Sequence, residues 1–513
     1  MMKVLTAEQM RRVDEVTIRE RGVPAAVLMN RAGKAVAIEA RDRFRPDSVA
    51  IVTGKGNNAG DGFVAARELE EAGIAVTVHM LAPASELKGA ALDAFNKMPA
   101  GLALREASDA AALRRDLGRH DLVIDAIFGT GTRGPIQGAW ADAIEAINSC
   151  GANILSVDIP SGMPCEPPMS GEAWGPAVRA HLTVTIGRPK LAMTVEPGMS
   201  LSGRVVVADI GFPSDLLDDP SITTNLITVQ DAAGLLPPRP VAGHKGTFGR
   251  VLILAGSEGM SGAATMTTLA AMRSGAGLVY AGYPTPLGTV IEGRLLEPVK
   301  LPLGGSRPWF GPEHVEAAVD AARDVDAVAI GPGLGQREPT AQFLTAVMNR
   351  IEKPLVIDAS ALTILADHVE LLGDRPAPTV LTPHPGEAAR LLGRSAAEVQ
   401  ADRLGAFLEF CARWNTIVVL KGAHTITTEP GGQRWINHSG NTGLAKGGSG
   451  DVLTGLIAGL IAQSMPPLDA ARLGVFVHGF AADMLAERMS VRAMIAGDVI
   501  DALGEAWLRL ERA

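Results

Sequence analysis

The stretch that decides the fold of the C-terminal half is residues 440–455, which read GNTGLAKGGSGDVLTG. Five glycines precede Asp451, and they free the backbone so that its N–H groups can pack around an anion. The apolar residues 452–462 predict a helix, whose N-terminal dipole favours phosphate. Asp451, in the first turn of that helix, would serve as a base or hold a cation. A flexible linker is the alternative, but a linker would not lead straight into an apolar helix that carries one aspartate.

The length and composition of the chain indicate a soluble α/β protein with more than one domain. At 513 residues it exceeds the size at which a single core keeps growing. It is 47% hydrophobic and 20% charged, and its formal net charge of −9 comes without a basic tract, which argues against nucleic acid as a partner. Its three cysteines lack metal-ligand spacing and are too few for a disulfide framework, so we expect a reducing compartment, the cytoplasm.

No segment predicts export or insertion into a membrane. Residues 1–10 place charged groups where a signal peptide needs an apolar core. The longest uncharged apolar run, residues 452–468, is interrupted by polar residues and two prolines and is shorter than the roughly 20 residues that a span requires. We therefore expect no membrane partner.

Apolar strands alternate with helical segments in two series. In the first series the predicted strands are residues 49–53, 76–81, 122–127, 154–158, 183–186 and 205–208, with helices at 62–72, 87–98 and 139–148. The predicted strands of the second series are residues 251–255, 327–330, 355–358, 379–382 and 417–420. This alternation predicts parallel sheets covered by helices on both faces. The proline-rich residues 235–240 separate the two series and place a domain boundary at about residues 215–242.

The predicted turn after the first strand, residues 54–62, reads GKGNNAGDG. It satisfies the GxGxxA pattern of dinucleotide-binding turns. The acidic residue that would hold a ribose is missing, because the next strand ends in HMLA at residues 79–82, so an NAD dehydrogenase is disfavoured. Asn57, Asn58 and Asp61 add oxygens that suit a hard cation or a polar ring. Alternatively, these residues merely tolerate a left-handed backbone.

Two further carboxylates stand at predicted strand ends of the same half. Asp125 precedes the glycine-rich residues 129–134, and Asp158 ends another strand just before Ser161. Because the carboxyl ends of parallel strands border one crevice, all three segments should converge on a ligand site. A lone carboxylate at a strand end is more often a cap, but three such glycine-rich loops favour a shared site.

The second half has no GxxxxGK[ST] sequence, which excludes a P-loop nucleotide fold. It offers turns at residues 244–249, 331–335 and 382–387 instead, together with the segment 421–425. His384 lies between two prolines that would display it rigidly, and a buried structural histidine is the alternative. Lys421, at a strand end, would neutralise a phosphate or stand as an ordinary solvated lysine.

Both halves together resemble the bifunctional NAD(P)H-hydrate repair enzymes. The resemblance runs from residues 5–10 (LTAEQM) to residues 496–500 (AGDVI) and so covers nearly the whole chain. It implies a Rossmann-like NAD(P)H-hydrate epimerase domain at residues 1–220 and a ribokinase-like, ADP-dependent (S)-NAD(P)H-hydrate dehydratase domain at residues 230–513. The implied substrates are NADH hydrate and NADPH hydrate, whose reduced ring has added water at C6, with ADP as co-substrate. A homo-oligomer is expected.

For the epimerase, the resemblance implies two substrate loops, one strand-end contact and a potassium site. The substrate residues would be Asn57, Asn58, Ala59, Gly60, Asp61, Gly129, Thr130, Gly131, Thr132 and Arg133, with Asp158 as a further contact. The potassium ligands would be Asn58, Asp125 and Ser161. Breaking and remaking a bond at C6 requires positioned proton transfers, for which we choose Asp158 as general acid/base. Lys190 is a weaker candidate for electrostatic help.

For the dehydratase, Gly333 and His384 match positions for the hydrated ring or its nucleotide. The ADP site would comprise Lys421, Gly422, Ala423, His424, Thr425, Asn441, Lys446, Gly447, Gly448, Ser449 and Gly450. Asp451 matches the catalytic aspartate of ribokinase-like enzymes. Coupling to ADP would convert a poor leaving group, hydroxide, into phosphate, with AMP as the other product. Asp451 would take the C6 hydroxyl proton, while the amides of residues 447–450, with magnesium, would stabilise charge on the phosphoryl group.

The sequence departs from the family pattern at four places. Ala59 stands where a glycine is usual, which would add a methyl group near the ligand, and residues 30–33 (NRAG) lack the usual glutamate. Ser360 replaces an aspartate, and Lys446 replaces a small hydroxyl residue. A cation at Lys446 would tighten phosphate binding or change the ADP/ATP preference; the alternative is a lysine that points to water.

One rival assignment shares the fold. The GSGD motif also occurs in ribokinase-like kinases, so the C-terminal half would be a small-molecule kinase and the N-terminal half a non-catalytic nucleotide-binding module. A kinase leaves a stable phosphorylated substrate, whereas the repair enzyme releases phosphate and NAD(P)H.

Overall fold

The structure, a computed structural model, describes residues 2–107, 109–131, 134–167, 174–373 and 375–513. Its internal contacts divide the chain into two units, Met2–Ile222 and Thr223–Ala513. Each unit contains its own sheet flanked by helices. The predicted class, α/β with two domains, is therefore confirmed.

A parallel sheet forms the centre of the N-terminal unit. After a two-residue strand β1 (Met2–Lys3), the strands are β2 (Ser48–Thr53), β3 (Ala75–Met80), β4 (Ala103–Glu106), β5 (Leu122–Ala126), β6 (Asn153–Val157), β7 (Leu182–Ile186) and β8 (Arg204–Ala208). The hydrogen-bonded order is β4-β3-β2-β5-β6-β7-β8, and every neighbouring pair is parallel. The strand order reverses between β2 and β5, which opens a crevice at their carboxyl ends.

Helices cover both faces of this sheet. They are α1 (Ala7–Arg19), α2 (Ala25–Phe44), α3 (Asn57–Glu71), α4 (Gly89–Asn96), α5 (Ala110–Leu117), α6 (Ala139–Asn148), α7 (Gly198–Ser202) and α8 (Ser214–Leu217). Along β2, Val49 and Ile51 are buried in one core layer, while Ala50 and Val52 are buried in the other. Because successive side chains of a strand point to opposite faces, a strand buried on both sides reads as one continuous apolar run.

The C-terminal unit has a larger, mainly parallel sheet. Its strands are β9 (Thr224–Ile227), β10 (Arg250–Leu254), β11 (Leu278–Tyr283), β12 (Val299–Pro302), β13 (Ala327–Ile330), β14 (Leu355–Ile357), β15 (Thr379–Leu381), β16 (Thr416–Leu420), β17 (Ile426–Thr428) and β18 (Arg434–Asn437). They pair in the order β9-β18-β17-β16-β15-β14-β13-β10-β11-β12. β17 is antiparallel to both of its neighbours, and the remaining pairs are parallel.

Helices also cover both faces of the second sheet. They are α9 (Val229–Gly234), α10 (Ser261–Arg273), α11 (Gly288–Glu292), α12 (Val315–Arg323), α13 (Glu338–Met348), α14 (Ser360–Leu365), α15 (Pro385–Leu392), α16 (Ala396–Ala401), α17 (Leu408–Trp414), α18 (Ser449–Ala462), α19 (Pro467–Ala486) and α20 (Ala496–Glu511). Val251 and Ile253 of β10 pack in one layer, and Leu252 and Leu254 pack in the other. No helix in the described part of the chain is long and apolar enough to cross a bilayer.

One difference from the predicted elements affects a site. Helix α3 begins at Asn57, with Gly56 as its N-cap, rather than at residue 62. The segment that was expected to be a turn therefore forms the first turns of a helix. Its side chains point in directions set by the helical repeat, not by a loop.

Candidate active sites

A cavity of 680 Å³ lies at the carboxyl end of the N-terminal sheet. Loops after β2 and β5, the end of β6 and one face of α1 line it. Of the predicted substrate residues it brings together Asn57, Asn58, Asp61, Gly129, Thr130, Gly131 and Asp158. Thr132 and Arg133 lie outside the described residues. Asn58 and Asp61 share the cavity face because they stand three residues apart on a helix.

Ala59 and Gly60, by contrast, do not line the cavity. Ala59 is fully buried in the apolar core, so its methyl group packs there instead of lining the cavity. A Cβ on Gly60 would lie 2.4 Å from Sδ of Met29 and 3.0 Å from Cα of Ala91. Gly60 therefore allows neighbouring helices to pack closely. The helical start of α3 turns both residues away from the cavity.

Asp158 follows β6 with a φ of 64° and forms a buried ion pair with Lys190. Its Oδ1 accepts hydrogen bonds from the Lys190 ammonium and, at 3.0 Å, from the backbone N–H of Ile186. The Lys190 ammonium, which is fully buried, also donates to Oγ1 of Thr185 at 2.8 Å and to the carbonyl of Ile186 at 3.1 Å. Both charges are thus fixed in position, with Asp158 Oδ2 lying 3.6 Å from where a Cβ on Gly129 would stand.

Two more carboxylates line the same cavity, on α1 and α3. Burial raises the pKa of Asp61 well above its ordinary value, and the negative charges of Asp158 and Asp14 add to the shift. Burial likewise raises the pKa of Asp14, with contributions from Glu15 and Asp158. The sequence did not identify Asp14, because no local pattern shows that α1 packs beside the carboxyl ends of the strands. The site can therefore hold protons on groups other than Asp158.

The three predicted potassium ligands, Asn58, Asp125 and Ser161, meet around the backbone of Phe128. Nδ2 of Asn58 donates to the Phe128 carbonyl at 3.0 Å, and the Phe128 N–H donates to Oγ of Ser161 at 2.9 Å. Oδ2 of Asp125 accepts from the Ser161 N–H at 2.8 Å and from the hydroxyl of Ser156 at 2.8 Å.

Asp125 is fully buried, and burial raises its pKa, although its hydrogen bonds favour the charged form. Within the described residues no Lys or Arg forms an ion pair with it. Carboxylate, amide, hydroxyl and carbonyl oxygens are the donors that a hard cation prefers, so these residues fit such an ion.

In the C-terminal unit, helix α18 begins at Ser449, and its N-cap Gly448 has a φ of 92°. The glycine-rich stretch therefore presents its amides at a helix N-terminus, where an anion is favoured. A Cβ on Gly450 would lie 3.1 Å from Nζ of Lys421, so the helix start rests directly over that ammonium.

Lys421 lies among carboxylates. Its Nζ donates to Oδ1 of Asp358 at 2.7 Å and stands 3.9 Å from Oε2 of Glu387. Burial opposes the charge of Lys421, but Asp358 and Glu387 outweigh burial and raise its pKa. Asp358 is 1% exposed, and its Oδ2 accepts from Oγ1 of Thr454 at 2.7 Å. Lys421 is thus not an ordinary solvated lysine.

Burial and the nearby Asp358 charge raise the pKa of Asp451 to about 7, with Lys421 opposing and Glu387 adding to the shift. A carboxylate whose pKa is near neutrality can accept a proton and release it again under physiological conditions. Within the described part of the chain, the Asp451 side chain has no hydrogen bond or ion pair. Its position and its pKa suit a general base.

His384 caps helix α15. Its Nδ1 accepts from the N–H groups of Gly386 at 3.0 Å and Glu387 at 3.3 Å, and Nε2 lies 3.5 Å from Oε1 of Glu387. Burial and the Lys421 charge lower its pKa, which favours the neutral ring. Half of the side chain is exposed, at 54%, so the ring is not a buried structural histidine.

Gly333 has a φ of 66°, and its carbonyl accepts from Oγ of Ser257 at 2.7 Å. A Cβ there would lie 2.7 Å from the carbonyl oxygen of Met260, so only glycine fits. The departure at Ser360 has a structural use, because its Oγ accepts from the N–H of Gly335 at 3.1 Å.

Several predicted ADP-site side chains already have protein partners. Oδ1 of Asn441 accepts from the Gly443 N–H at 2.9 Å, and its Nδ2 donates to Asp483 at 3.0 Å. Nζ of Lys446, an exposed residue, donates to the carbonyl of Arg492 at 2.6 Å.

Residues 421–425 follow β16, and His424 within them has a φ of 54°. Burial lowers the pKa of His424 to about 4, and its ring lies 4.0 Å from that of His438, measured between centroids. Among the described residues, no group of three or more His, Cys, Asp or Glu side chains is placed to hold a metal ion. A magnesium ion here would therefore take most of its ligands from the nucleotide and water, as Mg²⁺ commonly does.

Comparison with known proteins finds a separate match in each half of the chain. A family model described as NAD(P)H-hydrate dehydratase matches residues 251–504, and a model described as YjeF-related protein N-terminus matches residues 25–192. The bifunctional NAD(P)H-hydrate repair enzyme Nnr of Moorella thermoacetica is 40% identical, over 98% of this chain and 96% of that protein. The enzyme of the same name from Escherichia coli is 35% identical, over 97% and 92%.

Among solved structures, an ADP/ATP-dependent NAD(P)H-hydrate dehydratase from Bacillus subtilis, co-crystallised with ATP and Mg²⁺, is similar to the C-terminal half. The likeness covers 56% of this chain and 99% of that chain, with 34% identity and a TM-score of 0.50. A ribokinase-like protein from Enterococcus faecalis matches 57% of this chain and 98% of its own, with 26% identity and a TM-score of 0.50.

Proposed function

This chain belongs to the family of bifunctional NAD(P)H-hydrate repair enzymes, and we propose on that basis that it repairs hydrated NADH and NADPH. The N-terminal site would interconvert the R and S hydrates at C6. The C-terminal site would dehydrate the S form with a nucleotide. The observation that carries the proposal is that one chain holds both a carboxylate-lined cavity around Asp158 and a glycine-rich helix start around Asp451.

Because full-length relatives share both halves, the repair enzyme is favoured over a kinase joined to a non-catalytic module. The test is incubation of separated R and S hydrates with ADP, ATP or neither, following the return of reduced-nicotinamide absorbance. The S form should recover with a nucleotide, and the R form should recover at a comparable rate. A stable phosphorylated product without NAD(P)H would overturn the proposal.

At the epimerase site we propose that Asp158 transfers the proton and that the Lys190 ammonium fixes the position of the Asp158 carboxylate. The ring nitrogen lone pair can open the ring or expel water, so the protein must only orient the ring and transfer protons. Oδ1 of Asp158 is occupied by Lys190 and the Ile186 N–H, which leaves Oδ2, near Gly129, to face the ligand. Asp61 and Asp14 would supply or store the second proton, because burial raises both pKa values.

We propose that Asn58, Asp125 and Ser161 hold a potassium ion. Support comes from the buried Asp125 carboxylate, which lacks a cationic partner within the described residues, and from the oxygen atoms that surround it. Such an ion would neutralise Asp125 and fix the loop at residues 128–131. Thermal unfolding in potassium and in sodium buffers tests this. Potassium should raise the midpoint of wild type and leave that of Asp125→Asn unchanged.

At the dehydratase site we propose that Asp451 takes the proton of the C6 hydroxyl, which then attacks the terminal phosphoryl group of the nucleotide. The bond between that phosphoryl group and the rest of the nucleotide breaks, so ADP leaves as AMP, and phosphate is afterwards expelled from C6 as a proton is lost from C5, which restores the ring double bond. The amides of residues 447–450 and Lys421 would stabilise charge on the transferring group. His384 and Gly333 would face the hydrated ring.

A bound magnesium ion would supply charge neutralisation at the phosphates, and we propose it on the likeness to a structure co-crystallised with ATP and Mg²⁺. ADP as the preferred nucleotide is likewise a proposal, tested by kcat/KM with ADP and with ATP. A cytoplasmic location and a homo-oligomer stay predictions of the sequence. Size-exclusion chromatography with light scattering checks the oligomer.

A further inference from the structure

Asp358 is a buried carboxylate that the chemistry proposed above does not use. It directly follows β14 and is 1% exposed. Each of its oxygens has one partner: Oδ1 accepts from Nζ of Lys421 at 2.7 Å, and Oδ2 accepts from Oγ1 of Thr454 at 2.7 Å. A charged group is retained in such a place only when it is paired and hydrogen-bonded. The role of Asp358 therefore depends on the role of its charged partner, Lys421.

The ammonium of Lys421 lies beneath the start of α18. Its Nζ is 3.1 Å from the position that a Cβ on Gly450 would take, while Oδ2 of Asp358 is 3.6 Å from it. Asp451 follows Gly450 directly and contributes to the raised pKa of Lys421. The lysine charge is thus adjacent both to the helix amides and to the proposed base. This is where the transferring phosphoryl group would be expected.

Lysine does not hold such a position unaided, because its side chain is a flexible four-carbon stem with a single charge at its end. The second carboxylate near it, Glu387, stands at 3.9 Å, and its Oε2 already accepts from the His384 N–H at 2.8 Å. Asp358 is therefore the group that fixes the ammonium. Thr454, on the second turn of α18, in turn fixes Asp358 to the same helix whose amides face the anion.

We propose that Asp358 is a positioning residue that, anchored by Thr454, holds the Lys421 ammonium against the terminal phosphoryl group of the bound nucleotide. The proposal rests on the proposed nucleotide-binding role of residues 421–425 and 447–450. It goes further by assigning the orientation of the Lys421 ammonium to Asp358 and the anchoring of Asp358 to Thr454. Removing either partner should then weaken binding of a nucleoside diphosphate much more than binding of the monophosphate.

The experiment measures binding of ADP with Mg²⁺, and separately of AMP, to the full-length protein without any hydrate. Asp358→Asn and Lys421→Met should each weaken ADP binding about tenfold and AMP binding less than threefold. The double variant should bind ADP no more weakly than Lys421→Met alone, because residues that act as a unit are not additive. Asp326→Asn, an exposed carboxylate that accepts from the Arg250 N–H at 2.7 Å, is the control and should bind as wild type.

Additive losses in the double variant, or equal losses for ADP and AMP, would overturn the positioning role. If Asp358→Asn does not fold, Thr454→Val removes only the anchor and should weaken ADP binding about threefold, whereas Thr454→Ser should restore it. Equal binding by Thr454→Val and wild type would also overturn the proposal. Absence of ADP binding by wild type would instead remove the proposed nucleotide site itself, so the two failures are distinguishable.

Discussion

The two proposed catalytic aspartates stand in opposite electrostatic settings. Asp158 accepts from a buried ammonium, that of Lys190, and from a backbone N–H. Asp451 lies near a lysine too, but the ammonium of Lys421 is bound by Asp358 at 2.7 Å. Asp158 therefore has a cationic partner of its own. Asp451, in contrast, shares the Lys421 ammonium with two more carboxylates, those of Asp358 and Glu387.

This difference separates two ways of preparing a carboxylate for proton transfer. Around Asp158 the protein supplies the counter-charge, so the carboxylate is held in one place. Around Asp451 the negative charges outnumber the positive one, which together with burial raises the pKa to about 7. Such a group is partly protonated near neutral pH, so it can both accept and release a proton there.

The largest expected effect is the loss of dehydration in Asp451→Asn. A general base contributes roughly 10²–10⁴-fold, so nucleotide-dependent recovery of the S hydrate should fall by about that factor. Epimerisation should continue at the wild-type rate, because the two sites belong to separate units. Rates with S hydrate and ADP, and with R hydrate alone, measure the two steps. Near-normal dehydration would remove Asp451 from the mechanism.

The next effect is expected from Asp158→Asn, which should strand the R hydrate while the S hydrate is still consumed. Unlike Asp451→Asn, it should also lower the free energy of unfolding by about 3 kcal/mol, because it leaves the fully buried Lys190 charge without its partner. Chemical denaturation of both variants measures this contrast.

The double variant Asp158→Asn/Lys190→Met separates the two consequences. It should regain most of the lost stability, because no unpaired charge remains buried, yet it should stay inactive as an epimerase. If Asp158→Asn still consumes the R hydrate at the original rate, beyond spontaneous epimerisation, Asp158 only binds the substrate.

The sequence predicts most of the elements that build these sites. Each predicted strand occurs with ends that differ by one residue or less, because strands buried on both faces appear as continuous apolar runs. Strand β4 was not predicted, since all of its residues are exposed at the sheet edge and no apolar run marks it. Strands β17 and β18 are short and contain Thr, Arg and Asn, so their composition does not distinguish them from loops.

The features of the sites that could not be predicted are those that depend on contacts between segments distant in the sequence. The rule that singled out Asp125 and Asp158, a carboxylate at the end of a parallel strand, applies equally to Asp358 and could have found it. The pairing of Asp358 with Thr454 joins residues 96 positions apart, which no local pattern shows. Asp14 reaches the cavity only because α1 packs over the sheet. The Ala59 side chain points into the core because α3 begins at Asn57, and hydrophobic periodicity does not fix that boundary.

The raised pKa of Asp451 also predicts the pH profile of dehydration. As a base, Asp451 works only when unprotonated, and its pKa is about 7. Dehydration should therefore rise with pH up to about 7 and level off above it, falling about tenfold for each pH unit below. The measurement is kcat/KM for the S hydrate at saturating nucleotide between about pH 5 and pH 9. A dehydration rate that is flat across this range would contradict a base with that pKa.

The smallest effect is expected from Lys446→Thr, which asks whether the chain adds a second cation at the dehydratase site. The ammonium of Lys446 is exposed and donates to the carbonyl of Arg492 at 2.6 Å, so reaching a phosphate would require it to leave that partner. Exposed charge pairs contribute only about 0–1 kcal/mol, so the variant should weaken nucleotide binding by at most about fivefold. That loss should shrink in high salt, since exposed charges are screened. Isothermal titration with ADP and Mg²⁺ at low and high salt measures both effects, with Lys446→Arg as the variant that keeps the charge. If Lys446→Thr binds like wild type at both salt concentrations, Lys421 is left as the cation that serves the phosphates.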